Sequence, residues 1–360
     1  MKDKIRVGII GCGGIAGAHA ENYLNCERAE IAALCDLVPG KAAAFAERKG
    51  VAGANIYASY DEMFEREELD AVSVCTYNQA HADPTIAALR RGVCVLLEKP
   101  IAASVEDALR IIRAEKESSA FVSVGFQPRY DPDMQKIKEI CQSGELGDIY
   151  YIQTGGGRRR GLPTAESFVR RNQAGVGAMG DIGCYSLDMV LNAIGYPKPL
   201  TVTGYASDFF GRDPRYKFSG SFNVEDFAAA FIRLEGGIVL DFRISWAMHP
   251  DTPGDTIIFG KKGALRIPST DCWNAGVGGD MTLYYDDENG EPTEKKIPAA
   301  PDHGKEDCFA CKVRAFVEAV RAGGPAPVPS REAFINEAIV NAILDSAEKG
   351  GEIVVDLPEV

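Results

Sequence analysis

Lys99 stands in the tripeptide Glu98-Lys99-Pro100, directly after the apolar run Val93 to Leu97. An ammonium at the carboxyl end of a buried strand can reach the oxygen of a bound substrate, and its charge can lower the pKa of an acid beside it. The plain alternative is a surface lysine in front of a strand-ending proline. A second set of chemistry-bearing residues lies in the stretch from Gly180 to Asp188, where Asp181, Tyr185 and Asp188 are spaced i, i+4 and i+7. On a helix these three share one face. A core face would carry aliphatic side chains at that spacing, whereas this one carries two carboxylates and a phenol. It reads either as the wall of a polar cleft or as a solvated face on which Tyr185 packs.

A third set precedes both. Gly11, Gly13 and Ala16 follow the apolar run Ile5 to Ile10, with Gly14 and Ile15 opening a helical stretch that runs to Leu24; a second apolar run, Ala29 to Cys35, ends on Asp36. Strand, glycine turn, helix, strand and acid in that order are how a parallel sheet holds a dinucleotide. Gly11 permits the tight turn, Gly13 lets backbone approach a pyrophosphate, and Ala16 lets helix and strand pack closely. Free N–H groups and the positive end of the helix dipole then face the phosphates. Asp36 is placed to accept hydrogen bonds from the adenosine ribose and to repel a 2′-phosphate, so NAD is favoured over NADP.

The elements that must position these residues follow from the alternation of the chain. Helices are expected over Pro39 to Lys49, after the capping box Ser59-Tyr60-Asp61-Glu62, over Ala82 to Arg91 and after Ser104. Strands are expected over Leu69 to Thr76, Val93 to Leu97 and Phe121 to Phe126. Repeated strand–helix units imply a doubly wound parallel sheet over residues 1–126. After Gln127 the rhythm changes. Helices over Pro132 to Cys141 and Ala178 to Ile194 are followed by strands over Leu200 to Tyr205, Glu225 to Leu234, Ile238 to Trp246, Asp255 to Ile267 and Met281 to Tyr285, with Ile149 to Thr154 before them. Two helices, Glu306 to Ala322 and Arg331 to Lys349, end the chain. Residues 127–360 therefore read as an α+β domain on a large, mostly antiparallel sheet.

Bulk properties narrow the function. With 360 residues, 46% hydrophobic and 25% charged, the chain can build two cores. Its net charge of −13, from 39 basic and 52 acidic residues, disfavours nucleic acid and anionic membrane as partners. Ten cysteines scattered through apolar runs look like reduced core residues, and with no signal peptide or membrane span expected the location reads as cytoplasmic. Cys308 and Cys311 form a C-x-x-C pair with no second pair or flanking histidine, so no metal site is expected.

Taken in order, the glycine turn with Asp36, Cys75-Thr76-Tyr77-Asn78 with His81, Glu98-Lys99-Pro100, Val124-Gly125-Phe126-Gln127, Gly144-Glu145-Leu146-Gly147 and the Asp181 helix resemble the Gfo/Idh/MocA oxidoreductases over essentially the whole chain. The resemblance implies an N-terminal Rossmann domain, a C-terminal α/β domain whose open sheet joins a homodimer or homotetramer, and reversible NAD(P)-dependent oxidation of a sugar, glycoside or polyol hydroxyl. It implies cofactor contacts from Gly11, Gly13, Gly14, Ile15, Asp36, Thr76, Asn78, His81, Glu98 and Lys99. It also implies substrate contacts from Lys99, Gln127, Arg129, Asp181 and Tyr185. Lys99 matches the family's catalytic lysine, and Asp181 its substrate-site aspartate. Tyr185 departs from the histidine usual in inositol dehydrogenase-like members and matches the branch similar to glucose–fructose oxidoreductase and dihydrodiol dehydrogenase.

A tyrosine near its reference pKa of about 10 needs a cation to act as a base at neutral pH, and Lys99 with the nicotinamide ring supplies one. Either Tyr185 or Lys99 is then the proton acceptor. Two other functions share this framework: a glycoside-cleaving enzyme that retains NAD and oxidises transiently, and a non-catalytic NAD-dependent sugar sensor. Of the remaining polar groups, Arg158-Arg159-Arg160 either binds an acidic substrate or is solvated. His19 sits near the cofactor or is packed, and His249 lies at the site or on the surface.

Overall fold

The computed structural model describes residues 3–269, 277–301 and 307–358. The chain divides into two compact units, one of residues 3–126 with Phe309–Phe334, the other of the described residues of Gln127–Cys308 with 335–358.

The first unit is built on six strands: β1 (Ile5–Ile10), β2 (Ala29–Cys35), β3 (Asn55–Tyr57), β4 (Ala71–Val74), β5 (Cys94–Leu97) and β6 (Val122–Val124). All pair in parallel in the order β3-β2-β1-β4-β5-β6. Strands covered on both faces must be apolar along their whole length, which is why Val7, Ile9, Leu34, Val72, Val74, Val95, Leu96 and Leu97 are all fully buried. The crossovers are α1 (Gly14–Leu24), α2 (Lys41–Lys49), α3 (Tyr60–Arg66), α4 (Ala82–Leu89) and α5 (Val105–Lys116). Their starts follow local chemistry: the Ser104 hydroxyl accepts from the Asp107 N–H at 3.1 Å, and that of Ser59 from Asp61 at 3.2 Å. The strand order reverses between β1 and β4, so the carboxyl ends of those two strands open the crevice in which such sheets bind ligands.

The second unit begins with α6 (Pro132–Ser143), capped by Asp131, and β7 (Ile149–Gly157). A short α7 (Arg171–Ala174) precedes a π-helical turn, Met179–Gly183, which runs into α8 (Cys184–Ile194). Then come β8 (Pro199–Ser207), β9 (Phe227–Leu234), β10 (Val239–Ser245), β11 (Thr256–Gly260), β12 (Gly263–Ile267), β13 (Met281–Asp286) and β14 (Pro292–Ile297). After α9 (Cys308–Ala322) and α10 (Ser330–Lys349), β15 (Ile353–Val354) completes a nine-stranded sheet ordered β14-β13-β12-β11-β7-β10-β9-β8-β15. Every neighbouring pair is antiparallel except β7 with β10. Alternation sorts the residues of β9. Ala228, Ala230, Ile232 and Leu234 are buried on one face, while Phe227, Phe231 and Arg233 lie on the other. There Tyr205 and Phe227 pack edge to face with centroids 6.2 Å apart, and Tyr151 lies 5.7 Å from Phe259. At Gly204 on β8 an added Cβ would lie 2.5 Å from the Ile343 carbonyl of α10, so glycine there sets how closely that helix packs.

The alternation thus predicts the α/β class and both sheets but not β3 or β15, and the structure departs from it in three further respects. The chain from Phe309 to Phe334 belongs with the first unit, not with residues 127–308. Val313, Phe316 and Val317 of α9 join the cluster of Ile5, Val7 and Ile9, and a fully buried phenylalanine contributes about 2–3 kcal/mol that a solvated one would not. The run Asp255 to Ile267 is two strands turned by Lys261-Lys262 between glycines, and β14, rich in Lys and Glu, carries too little apolar signal to read as a strand. Glu306, the expected start of α9, lies outside the described residues. Among the described residues no helix is long and apolar enough to cross a membrane.

On α10, Glu337 is 2% exposed and its Oε1 accepts a hydrogen bond from the Asn341 side chain at 2.6 Å. Burial pushes its carboxyl up to about 8, against that hydrogen bond. A carboxyl raised in the folded state stabilises fully below its unfolded value near 4.3 and loses that contribution as pH rises through about 8. Glu337→Gln, which keeps the acceptor, is therefore expected to leave the thermal midpoint nearly unchanged at pH 5. At pH 8.5 it should raise stability by about 5 kcal/mol, seen as a clear rise in the thermal midpoint by circular dichroism. A gain no larger at pH 8.5 than at pH 5 would contradict this.

Candidate functional site

In the first unit, β1 ends at Gly11 with φ +89°, where a Cβ would lie 2.8 Å from both the carbonyl carbon and oxygen of Cys75 and 2.9 Å from the Thr76 nitrogen. Only glycine passes there. Gly13 is the N-cap of α1 with no side chain to cap it, and a Cβ at Gly13 or Gly14 would meet nothing within 4 Å. The backbone is therefore open to close approach at the start of α1, whose first N–H groups lack partners within the helix and are the donor set that a pyrophosphate takes. Ile15 packs against the core behind them.

Asp36, at the end of β2, is 8% exposed. Its Oδ2 accepts from the Cys12 N–H at 2.8 Å and pairs with Lys41 Nζ at 2.8 Å, and its Oδ1 accepts from the Val38 N–H at 3.0 Å. Burial alone would raise this carboxyl, but Lys41 and the two N–H groups outweigh burial and hold it below the usual range. It stays an ionised acceptor in a fixed rotamer, as a ribose ligand must. The cation beside Asp36 comes from the first residue of α2, Lys41. The open helix start and fixed acid fit NAD.

The other expected cofactor residues divide. Thr76 donates its hydroxyl to the Ala80 carbonyl at 3.0 Å, and Asn78 opens the 3-10 turn Asn78–Ala80 just past β4; both residues are half-buried. His81 and Glu98 are placed otherwise than expected, because their side chains are internal. The His81 ring, 1% exposed, lies 2.8 Å by Nδ1 from the Pro100 carbonyl and 3.2 Å by Nε2 from that of Thr76, so it ties two loops together. The Glu98 Oε1 lies 2.7 Å from His19 Nε2 and 2.6 Å from Lys312 Nζ. His19 Nδ1 in turn lies 2.9 Å from the Ser73 hydroxyl, which is 2.8 Å from that of Tyr23. Burial would push the Glu98 carboxyl up, but Lys312 and His19 override it and hold it well below the usual range. Burial first, and then Lys312, keeps His19 neutral. Of the two readings for His19, the packed one is realised. Lys312 escaped the sequence reading, although a signal was present: it occupies the apolar stripe of α9 between Phe309 and Phe316. Lys99 follows Glu98 at the carboxyl end of β5, half-buried.

In the second unit, the π turn separates residues that a regular helix would align. The Glu225 carboxylate accepts from the Gly177 and Met179 N–H groups at 2.8 and 2.9 Å, anchoring the start of the turn. Asp181 then accepts from the Trp246 indole at 2.8 Å, with Arg158 Nη1 at 3.9 Å, and its side chain is 17% exposed. The Tyr185 hydroxyl receives a hydrogen bond from the Gln127 amide at 2.9 Å, and both residues are buried. Asp188 is pinned by Arg129, Nε to Oδ2 at 2.9 Å and Nη2 to Oδ1 at 2.6 Å, with the Tyr196 hydroxyl on the same carboxylate. The shared face expected of the three is thus corrected: Asp181 is the partly open member, and Asp188 is an internal brace. Arg129, expected at the substrate, spends its guanidinium on that brace and on the Tyr196 ring, 5.5 Å away. Arg159 and Arg160 are exposed, with Arg160 stacked over Phe210 at 5.3 Å; His249, also exposed, lies 5.8 Å from the same ring.

Comparison with known proteins gives concordant matches. Residues 5–126 match the family model described as GFO_IDH_MocA, oxidoreductase family, NAD-binding Rossmann fold, and residues 134–266 match the GFO/IDH/MocA C-terminal domain. D-glucoside 3-dehydrogenase of Escherichia coli (strain K12) is 27% identical, over 97% of this chain and 97% of that protein. Inositol 2-dehydrogenase of Salmonella agona (strain SL483) is 34% identical over 40% of this chain and 43% of its own length. A levoglucosan dehydrogenase solved with NADH and levoglucosan superposes with a TM-score of 0.84 at 21% identity, over 98% of this chain and 100% of that one. At that identity the likeness is one of fold.

Replacing Asp36 by Ala removes the charged acceptor held by Lys41 and two N–H groups. NAD affinity, measured by calorimetric titration, is expected to fall about 10- to 100-fold, the equivalent of one hydrogen bond to a charged group. Unchanged affinity would remove Asp36 from the nucleotide site.

Proposed function

The chain belongs to the Gfo/Idh/MocA oxidoreductase family and binds NAD, and we propose that it transfers a hydride between the nicotinamide and a hydroxyl-bearing carbon of a sugar, glycoside or polyol. The observation that carries this reading is Asp181: a partly open carboxylate, oriented by the Trp246 indole, on a π turn one helical step before a tyrosine whose hydroxyl is held by Gln127. Such turns concentrate at functional sites. The near full-length similarity to D-glucoside 3-dehydrogenase supports a sugar as the substrate class.

NAD, when bound, supplies the hydride acceptor. The chain's own residues supply the rest. Lys99, by its charge, polarises the substrate oxygen and makes a phenolate less costly to form. Tyr185 takes the hydroxyl proton as hydride leaves the carbon, and returns it in the reverse direction. Gln127 fixes the phenol so that its proton is aimed before substrate arrives, and Asp181 accepts a second sugar hydroxyl. The aromatic face of the nine-stranded sheet, with Tyr151, Phe259, Phe231 and Tyr205, serves as the contact between copies in a homodimer or homotetramer.

The test incubates purified protein with NAD and a panel of glucose, xylose, methyl D-glucoside and myo-inositol. Both reduced nicotinamide and sugar products are followed, because a tightly retained cofactor would cycle without absorbance change. Turnover is expected with at least one panel member. Tyr185→Phe should lower its rate about 10²- to 10⁴-fold, the usual contribution of a positioned acid/base, and Lys99→Met at least as much. If Tyr185→Phe stays within a few-fold of wild type while Lys99→Met is inactive, the lysine is the base. NAD binding without turnover of any member would favour a sensor.

A further inference from the structure

The buried network beneath Lys99 has a direction. Glu98 is ionised and can only accept; Lys312 can only donate. His19 is neutral, so it carries one ring proton, and with Glu98 at 2.7 Å that proton belongs on Nε2. Nδ1 must then accept from the Ser73 hydroxyl, and Ser73 from the Tyr23 hydroxyl. Donation thus runs one way, from Tyr23 through Ser73 and His19, and ends on Glu98 Oε1, to which Lys312 also donates from 3.3 Å beside His19 Nε2. All five side chains are buried, and they come from α1, β4, the end of β5 and α9. Gly125 makes room for the carboxylate, since a Cβ there would lie 3.0 Å from Glu98 Oε1.

A buried ion pair is a poor way to stabilise a fold, because desolvating two charges costs about as much as their attraction returns. What four directed contacts among five side chains from four elements do well is hold one carboxylate still. The residue held is the one before Lys99. Resting on the assignment of Lys99 to the reacting oxygen, we propose that Lys312 is a positioning residue for the reaction: from the last helix of the first unit it clamps Glu98 and thereby fixes where the Lys99 ammonium points. Lys312 touches neither sugar nor nicotinamide in this arrangement and acts only through Glu98. A misplacement of the ammonium by about 1 Å is enough to cost on the order of 100-fold in rate.

The experiment uses the full chain with NAD and the panel sugar that turns over, methyl D-glucoside first. Lys312→Met keeps the length of the side chain and removes its charge. The double variant Glu98→Gln with Lys312→Met leaves no buried charge and guards against a single variant that fails to fold. In both, NAD affinity by calorimetry is expected to stay within about threefold of wild type while kcat falls about 10- to 100-fold. An independent readout needs no substrate: the chain has only four histidines, so the His19 ring can be followed by NMR. His19 faces Glu98, Lys312, Ser73 and Tyr23, with the Cys75 thiol close to Glu98. In wild type it should stay neutral from pH 6 to 9. In Lys312→Met it should take up a proton near neutrality, because Glu98 has lost its cation, and in the double variant it should be neutral again. Lys99→Met, run alongside, reports on the parent assignment. If Lys99→Met is inactive and either Lys312 variant keeps kcat within threefold, Lys312 does not position the lysine. A fall in kcat matched by an equal loss of NAD affinity also overturns the proposal, since the clamp would then serve the nucleotide. An active Lys99→Met overturns the parent assignment, and the role of Lys312 goes with it.

Discussion

The first unit depends on the passage of the Gly11 backbone over the end of β4, where the smallest side chain would collide with the main chain of Cys75. The helix start, the open backbone at Gly13 and Gly14 and the line of α1 all follow from that passage. So does the place of His19, which α1 carries inward to Ser73 and Glu98. A single backbone conformation, available to glycine alone, thus joins the surface that receives a dinucleotide to the charged interior behind it.

That interior runs against the usual economy of folding. Asp36 and Glu98 are both buried carboxylates kept ionised, the first by Lys41 and two N–H groups, the second by Lys312 and a histidine. Elsewhere burial wins. Asp226 on the way into β9 is pushed up to about 6, and Glu337 to about 8. No cation contributes to the shift of either, whereas Lys41 and Lys312 hold Asp36 and Glu98 ionised, and those two acids sit at the carboxyl ends of parallel strands, where ligand chemistry is expected.

Much of this was legible in the chain. Buried parallel strands announce themselves by continuous apolar runs, and the turn at Gly11 by its glycines, so five of the six strands of the first sheet and the acid at Asp36 could be placed, whereas β3, exposed at two of its three residues, could not. Contacts between distant segments could not. Nothing near Glu98 in the sequence points to Lys312, whose only trace is a charged residue in an apolar stripe. The Asp181 helix misled for a local reason: spacing arguments assume 3.6 residues per turn, and a π turn breaks the phase, sending Asp181 to Trp246 and Asp188 to Arg129. Arg129 and His81 entered as ligand contacts through the family resemblance; here the Arg129 guanidinium braces Asp188 and the His81 ring lies against the Pro100 and Thr76 carbonyls.

The one parallel pairing in the nine-stranded sheet has an effect out of proportion to its length. Antiparallel neighbours send their ends to opposite edges, but β7 and β10 run together and finish side by side, Gly157 opposite Ser245. The next residue of each strand, Arg158 and Trp246, therefore emerges at a common edge and reaches the same Asp181 carboxylate. Because those strands are far apart in the chain, their pairing belongs to the slow, non-local class of contacts. The carboxylate acquires its indole only once the sheet has closed. The surroundings of Asp181 are thus a property of the closed sheet and not of the helix that carries it.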